Sequence, residues 1–286
     1  MMTTAKRDTN NVTEVSAIVR GFRLIATDLD DTLLDDNLEI SPRTRKALQK
    51  AAEMGCVVTI ATGRMYRSAR PVALDLGIEV PIITYQGALV KNARSGEVLA
   101  ETPLPFSLAV EVLAEGYRAS VHMNLYFNDC LYVDSVTEAG TGYARLAGIE
   151  QHPVGSLVKY LAAVRNNPTK ILYIAKPELL DSLKTDLAAK FGGSLYITKS
   201  KPNYLEFMHP QATKKHALEN LAGSFGIARE EIIVFGDSYN DLDMLEWAGM
   251  GVAMGNAPAE IKDKADYVTD TNNRDGVAKA LERFLD

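Results

Sequence analysis

The chain has 286 residues, with 31 Lys plus Arg against 37 Asp plus Glu and a net charge of −6, so no basic surplus exists to neutralise a nucleic-acid backbone or an anionic membrane. Hydrophobic residues make up 47% and charged residues 24%, a globular balance that excludes disorder and collagen-like repeats, and the length suits two domains of about 150 residues each. Cys56 and Cys130 lie far apart, without C-x-x-C or His-pair spacing, which sets aside a disulfide framework and a zinc site and points to a reducing cytoplasm.

Residues 1–20 hold only isolated apolar side chains and read as a polar, mobile tail. They contain no signal-peptide pattern, and no later run reaches the roughly 18 apolar residues of a membrane span. A cytoplasmic protein that binds neither nucleic acid nor membrane is therefore expected, as a monomer or small homo-oligomer.

The fold is expected to start at Phe22. FRLIATDLD, CVVTIATGR (56–64) and VPIITYQG (80–87) are apolar, β-rich runs that stop at polar residues or glycine, the pattern of strands buried on both faces. Between the first two, Ser41 as N-cap, Pro42 at the first helical position and Gly55 as a stop bound a helix, with Ala47, Leu48, Ala51 and Met54 as its apolar stripe. A second helical segment (Met65 to Leu76) supplies the next crossover, so parallel strands are expected. The same grammar returns near the C-terminus. KKHALENLAGSFG, LDMLEWAG and GVAKALERFL read as helices, and EIIVFGD, MGVAMG and DYVT as strands. The middle differs: LYFNDCLYVD and SLYITKSKPNYLEFM alternate like antiparallel strands, with PELLDSLKTDLAAKF as a helix between them. The expected fold class is thus α/β, a doubly wound parallel-sheet core (21–88 and 204–286) with an inserted α+β domain (89–203).

The chemistry-bearing residues gather where these strands end. Asp28 and Asp30 follow the first strand, two apart along an extended chain, at the edge of a parallel sheet where ligands sit. Read alone, such acids are more often turn residues. A second acidic group, Gly236-Asp237-Ser238-Tyr239-Asn240-Asp241, follows EIIVF, where an Asp N-cap is the competing reading. Two unit charges 4 Å apart repel by about 4 kcal/mol at an effective dielectric of 20, so a pocket collecting Asp28, Asp30, Asp237 and Asp241 calls for a cation. Oxygen ligands without His or Cys suit Mg2+. Thr62-Gly63-Arg64 places a hydroxyl and backbone N–H groups where a helix begins, which is an anion seat or a simple Thr-Gly turn. Lys214 opens a helix against the helix dipole, an unfavourable place unless it reaches an acidic or phosphate-bearing pocket.

The ordered blocks DLDDTLL, ATGR, LEFMHPQATKKHAL, GDSYNDLDML and GVAMGNAPAEIKDKADYVT resemble the Cof-type (subclass IIB) haloacid dehalogenase-like phosphatases over nearly everything after residue 21. The resemblance implies a Rossmann-like core with a type-2B cap and Mg2+-dependent hydrolysis of a small phosphorylated metabolite. It implies Asp28 as nucleophile, Asp30 as general acid/base, and Asp28, the Asp30 carbonyl and Asp237 as metal ligands with Asp241 in support. Thr62, Lys214 and Asn240 would hold phosphoryl oxygens or orient Asp28. Gly63 and Arg64 belong to the same seat, and Gln86-Gly87-Ala88 stands where the family usually has Asn-Gly-Ala, placing Gln86 and Gly87 by the substrate. Asp31 stands where the family often has Gly. The substrate reads as a sugar phosphate, pyridoxal phosphate or flavin mononucleotide type, with a phosphomutase or a non-catalytic phosphoacceptor as the alternatives. Tyr126, Phe127, Tyr132, Tyr160 and Tyr173 fit core packing better than substrate stacking, and His122, His152, His209 and His216 form no metal spacing.

Overall fold

Residues 21–285 are described by a computed structural model; the tail expected over residues 1–20 lies outside the described residues. The first strand, β1 (Leu24–Thr27), is buried at every position. Helices must therefore cover it on both sides. It is followed by α1 (Pro42–Glu53), β2 (Val57–Ile60), α2 (Tyr66–Asp75) and β3 (Pro81–Thr84), in the expected order. The Ser41 hydroxyl accepts from the Thr44 N–H at 3.1 Å, with Pro42 at the first helical position. Leu48 and Ala51 are buried and Ala47 packs partly against the same core, but Met54 is 55% exposed. The helix ends at Glu53, and Met54 belongs to the turn into Gly55 instead of the stripe.

The chain then runs through β4 (Leu89–Asn92), β5 (Val98–Glu101), α3 (Phe106–Arg118), β6 (His122–Phe127), β7 (Cys130–Val133), α4 (Glu138–Ala147) and β8 (Gln151–Pro153). Next come α5 (Leu157–Val164), β9 (Lys170–Ile174), α6 (Pro177–Phe191), β10 (Tyr196–Lys201) and β11 (Tyr204–Met208). A six-stranded sheet of order β10-β11-β9-β6-β7-β8, antiparallel except for β7 with β8, forms the middle layer. Its strands do not respect the expected boundaries. Tyr204–Met208, expected in the core segment, pairs with β9 and β10, because its backbone groups find their partners across a hairpin and not in the parallel sheet. Residues 89–101, expected in the inserted domain, pair with β3 as a three-stranded antiparallel sheet. One face of the six-stranded sheet carries α3, α5 and α6 on Leu125, Ile171, Tyr173, Leu205 and Phe207. From the other face Tyr126, Leu131, Leu172 and Met208 join the core around β1. Tyr126, Phe127 and Tyr173 are buried, and Tyr132 stacks on Tyr160 with centroids 4.5 Å apart, so these rings pack as expected.

The chain returns through α7 (Lys214–Ser224), β12 (Ile232–Gly236), α8 (Leu242–Trp247), β13 (Met250–Ala253), α9 (Ala259–Lys262), β14 (Tyr267–Val268) and α10 (Gly276–Leu285). The parallel sheet has order β14-β13-β12-β1-β2, and a parallel bridge between Ala61 and Ile83 brings β3 alongside β2. Alternate residues of its strands serve different cores. Ile25, Ile233 and Phe235 pack with α1, α2 and α10, whereas Leu24, Ala26, Ile232 and Val234 pack with α7 and α8. This is the doubly wound arrangement expected from the buried strand pattern. Among the described residues no helix is long and apolar enough to cross a membrane. Both cysteines are free.

Candidate active site

The parallel strands deliver their next residues to one edge. Asp28 follows β1 and donates its N–H to the Phe235 carbonyl at 3.0 Å, Thr62 lies two residues beyond β2, Gln86 two beyond β3, and Asp237 directly follows β12. A cavity of about 120 Å³ opens there, walled on the parallel-sheet side by Asp28, Asp30, Gly63, Arg64, Gln86 and Asn240. Asp31, which borders it, has φ +60°, a left-handed turn that glycine adopts freely and aspartate tolerates.

Lys214 reaches this edge because of a glycine. Thr213 caps α7 by accepting from the His216 N–H at 3.1 Å, and Gly87, at φ +107°, presses against it so closely that a Cβ would lie 2.2 Å from the Thr213 carbonyl oxygen. The fully buried Lys214 ammonium then donates to Asp28 Oδ1 and Asp241 Oδ1, both at 2.5 Å. Asp241 folds back under Gly236, where a Cβ would collide with it, and Oδ2 accepts the Asp237 and Ser238 N–H groups at 3.1 Å each. Asp237 Oδ1 accepts from the Thr32 hydroxyl at 2.8 Å.

Carboxylate oxygens of Asp28, Asp237 and Asp241 lie within 4.8 Å of one another, all buried. Three carboxylates face one ammonium. Burial pushes the Asp28 carboxyl up to about 7, against the pull of Lys214 and with Asp241 and Asp30 adding to the rise. Burial also pushes Asp237 up to about 8, with Asp241 and Asp28 as the next causes. Burial alone would lower Lys214, but Asp241 and Asp28 overcome it and raise its pKa above the usual range. With all four groups ionised the cluster carries two uncompensated negative charges, which a hard divalent cation neutralises. The all-oxygen donor set fits Mg2+.

Asp30 lies outside this trio. Its carboxylate takes a bidentate pair from Arg64, Nε at 2.9 Å and Nη2 at 2.6 Å, and although burial opposes it, Arg64 holds the carboxyl below the ordinary range. Thr62 is fully buried, and its hydroxyl accepts the Arg64 N–H at 3.1 Å, leaving the hydroxyl proton to donate elsewhere. The Gly63 N–H has no acceptor among the described residues. Gln86 is consumed internally: Oε1 accepts from Asn240 Nδ2 at 3.0 Å and Nε2 donates to Glu206 at 3.3 Å.

The opposite wall holds no residue that the sequence marks for the site. Lys170, Ser200, Lys201, Tyr204 and Glu206 line the cavity from the six-stranded sheet, and Tyr143, Leu146 and Ala147 from α4. Lys170 pairs with Glu206 at 3.0 Å, both buried. The signal was a charge inside each of two apolar strand runs, KILYI and YLEFM.

Residues 25–281 match the haloacid dehalogenase-like hydrolase family, so the chain belongs to these hydrolases. The 5-amino-6-(5-phospho-D-ribitylamino)uracil phosphatase YitU of Bacillus subtilis is 32% identical over 274 residues, covering 92% of this chain and 97% of the relative. The HMP-PP phosphatase of Serratia proteamaculans is 32% identical over 242 residues, covering 84% and 86%. The crystal structure of TM0651 from Thermotoga maritima superposes with a TM-score of 0.78 at 37% identity, covering 92% of this chain and 97% of that one.

Proposed function

We propose that this hydrolase is a Mg2+-dependent phosphatase of small-molecule phosphate monoesters, acting through an aspartyl phosphate on Asp28. One observation carries the reading: a buried lysine shared between Asp28 and Asp241, with Asp237 adjoining, beside a cavity closed by a second sheet. Asp28, Asp237, Asp241 and the Asp30 carbonyl would hold Mg2+, which would supply the positive charge that lets a carboxylate approach a phosphate.

The chain's own groups account for the rest. Asp28 attacks phosphorus while the ester oxygen departs, and Asp30, which must first exchange its Arg64 pair for a proton from solvent, delivers that proton to the oxygen. Asp30 then removes a proton from water, the hydroxide attacks phosphorus, and the bond from phosphorus to Asp28 breaks to release phosphate. Arg64 aims Asp30 through its bidentate pair. Lys214 steadies Asp28 and spreads the charge that grows on the phosphoryl oxygens. Thr62 and Gly63 supply a hydroxyl proton and a free N–H to those oxygens.

In this reading α3 to β11, residues 106–208, form the cap, while β4 and β5 stay with β3. The leaving group lies between Tyr143, Tyr204, Leu38 and Leu146, an apolar and aromatic wall suited to a phosphorylated heterocycle of the pyridoxal phosphate or flavin mononucleotide type over a bare sugar phosphate. The names of the YitU and HMP-PP relatives support that preference. The test is phosphate release from a panel of heterocyclic and sugar phosphate esters, with Mg2+ or EDTA, for wild type and Asp28→Asn. Metal-dependent turnover that Asp28→Asn abolishes is expected; a folded wild type that releases no phosphate from any ester contradicts the reading.

A further inference from the structure

We propose that Lys170, carried by the cap sheet, is a positioning residue for the phosphate seat: it fixes the Thr62-Gly63-Arg64 turn through the Gly63 carbonyl, so the seat is complete only when the cap is docked. The inference rests on the phosphatase reading for its kinetic consequence, but its geometry stands apart from it.

Lys170 opens β9 and is 1% exposed. Its Nζ donates to the Gly63 carbonyl oxygen and to Glu206 Oε2, both at 3.0 Å, and lies 5.0 Å from the Tyr126 ring centroid and 5.8 Å from that of Tyr85. Two hydrogen bonds and two ring faces occupy an ammonium that has three N–H groups. Glu206 accepts in addition from Gln86 and from the Ser200 hydroxyl. Both charges are thus committed to protein partners, which makes them poor candidates for direct substrate ligands. A buried ion pair is weak evidence for stability, since apolar residues of similar volume serve as well. Its place at the junction is what distinguishes it.

Gly63 has no side chain to anchor it and no room for one, because a Cβ would lie 2.4 Å from Gln86 Nε2. Its carbonyl is the available handle. The peptide unit is planar and trans, so fixing the Gly63 oxygen fixes the opposite direction of the Arg64 N–H. That N–H meets the Thr62 hydroxyl oxygen, which in turn sets where the hydroxyl proton is free to point. The Arg64 side chain continues from the same turn to Asp30. One cap lysine therefore orients the hydroxyl donor and, through Arg64, the acid. Withdrawing the cap takes the Gly63 partner with it.

The experiment compares wild type, Lys170→Arg and the double variant Lys170→Met with Glu206→Gln, which leaves no lone buried charge. In the double variant inhibition by inorganic phosphate weakens about tenfold and kcat falls about 10-fold to 10²-fold, as for a misplaced seat, while the melting transition stays cooperative. Lys170→Arg, which restores a cationic donor, recovers part of both. A folded double variant with wild-type phosphate inhibition and kcat overturns the proposal. A second measurement needs no folded variant: in wild type labelled with 15N-lysine, the buried Lys170 ammonium signal shifts as inorganic phosphate saturates the Mg2+-loaded enzyme. A signal that stays fixed overturns the proposal as well. A wild type that binds phosphate with this shift but hydrolyses no ester removes the proposed reaction and leaves the positioning intact.

Discussion

Two buried lysines border one cavity, and their surroundings differ in charge. Around Lys214 two carboxylates, Asp28 and Asp241, share one ammonium, and a third, Asp237, adjoins them. Around Lys170 a single carboxylate, Glu206, answers it, and the remaining donors and acceptors are matched by Gly63, Gln86 and Ser200. The first group is overcharged, and burial together with neighbouring carboxylates raises Asp28 and Asp237; the second is balanced. The difference teaches where chemistry and architecture part. An excess of negative charge kept out of water needs a cation, and through that cation it can meet an anionic reactant, whereas a neutral, saturated pair holds two layers in register.

Substitutions can break this comparison. The largest effect is expected for Lys214→Met, which removes the charge that steadies Asp28 in the transition state and should lower kcat about 10³-fold, some 4 kcal/mol, in a steady-state assay with saturating Mg2+. A loss below about tenfold would equate Lys214 with an ordinary core lysine. On the balanced side, Glu206→Leu leaves Lys170 alone in the interior and should cost about 3 kcal/mol in denaturant unfolding, while Lys170→Met with Glu206→Leu returns near wild type. If the double variant is as unstable as the single, the pair is not the self-contained unit described here.

Acidity sharpens the contrast. Because burial raises Asp28 to about 7 and Asp237 to about 8 from an ordinary value near 3.8, the metal-free fold binds protons that the unfolded chain releases. Stability from these groups is fully present below the unfolded value and lost as pH climbs through 7 to 8. The metal-free melting temperature should therefore fall between pH 5 and 8. Mg2+ at about 100 times its Kd should restore about 2.7 kcal/mol at the alkaline end and little at the acid end, where protons compete for the same carboxylates. Equal stabilisation at both pH values, followed by calorimetry, would count against these residues as ligands. The smallest effect belongs far from both lysines: Ser41→Ala, which removes the cap of α1, should cost about 1 kcal/mol in urea unfolding and leave kcat unchanged.

Much of the parallel layer was legible because its signals are local. Runs such as LIAT and IIVFG are apolar without alternation, Ser41-Pro42 announces a helix start within two residues, and acids directly after strands mark the sheet edge. Lys214 was legible for a related reason, a cation at a helix start being out of place without an acidic target. The other wall of the cavity was not. A Lys or Glu within a strand reads as a solvent-facing position until the opposite layer is known, and Lys170 and Glu206 meet across 36 residues of chain while Lys170 reaches Gly63 across 107. The pairing of Asp30 with Arg64 was hidden in the same way, since spacing along a strand says where a carboxylate starts and not which partner it turns to. The antiparallel character of YLEFM was legible in its pattern, but the boundary at residue 204 cut it from its sheet, because only the pairing with β9 and β10 shows how far that layer extends.

The most direct test of the overcharged cluster as the seat of chemistry is to trap the enzyme in mid-reaction. Wild type is mixed with a hydrolysable ester and Mg2+, quenched in acid within one turnover, digested and analysed by mass spectrometry. The account predicts one added phosphoryl group on the peptide containing Asp28, absent with EDTA and absent in Asp28→Asn. Turnover that leaves Asp28 unmodified, or a phosphoryl group on any other residue, would contradict it.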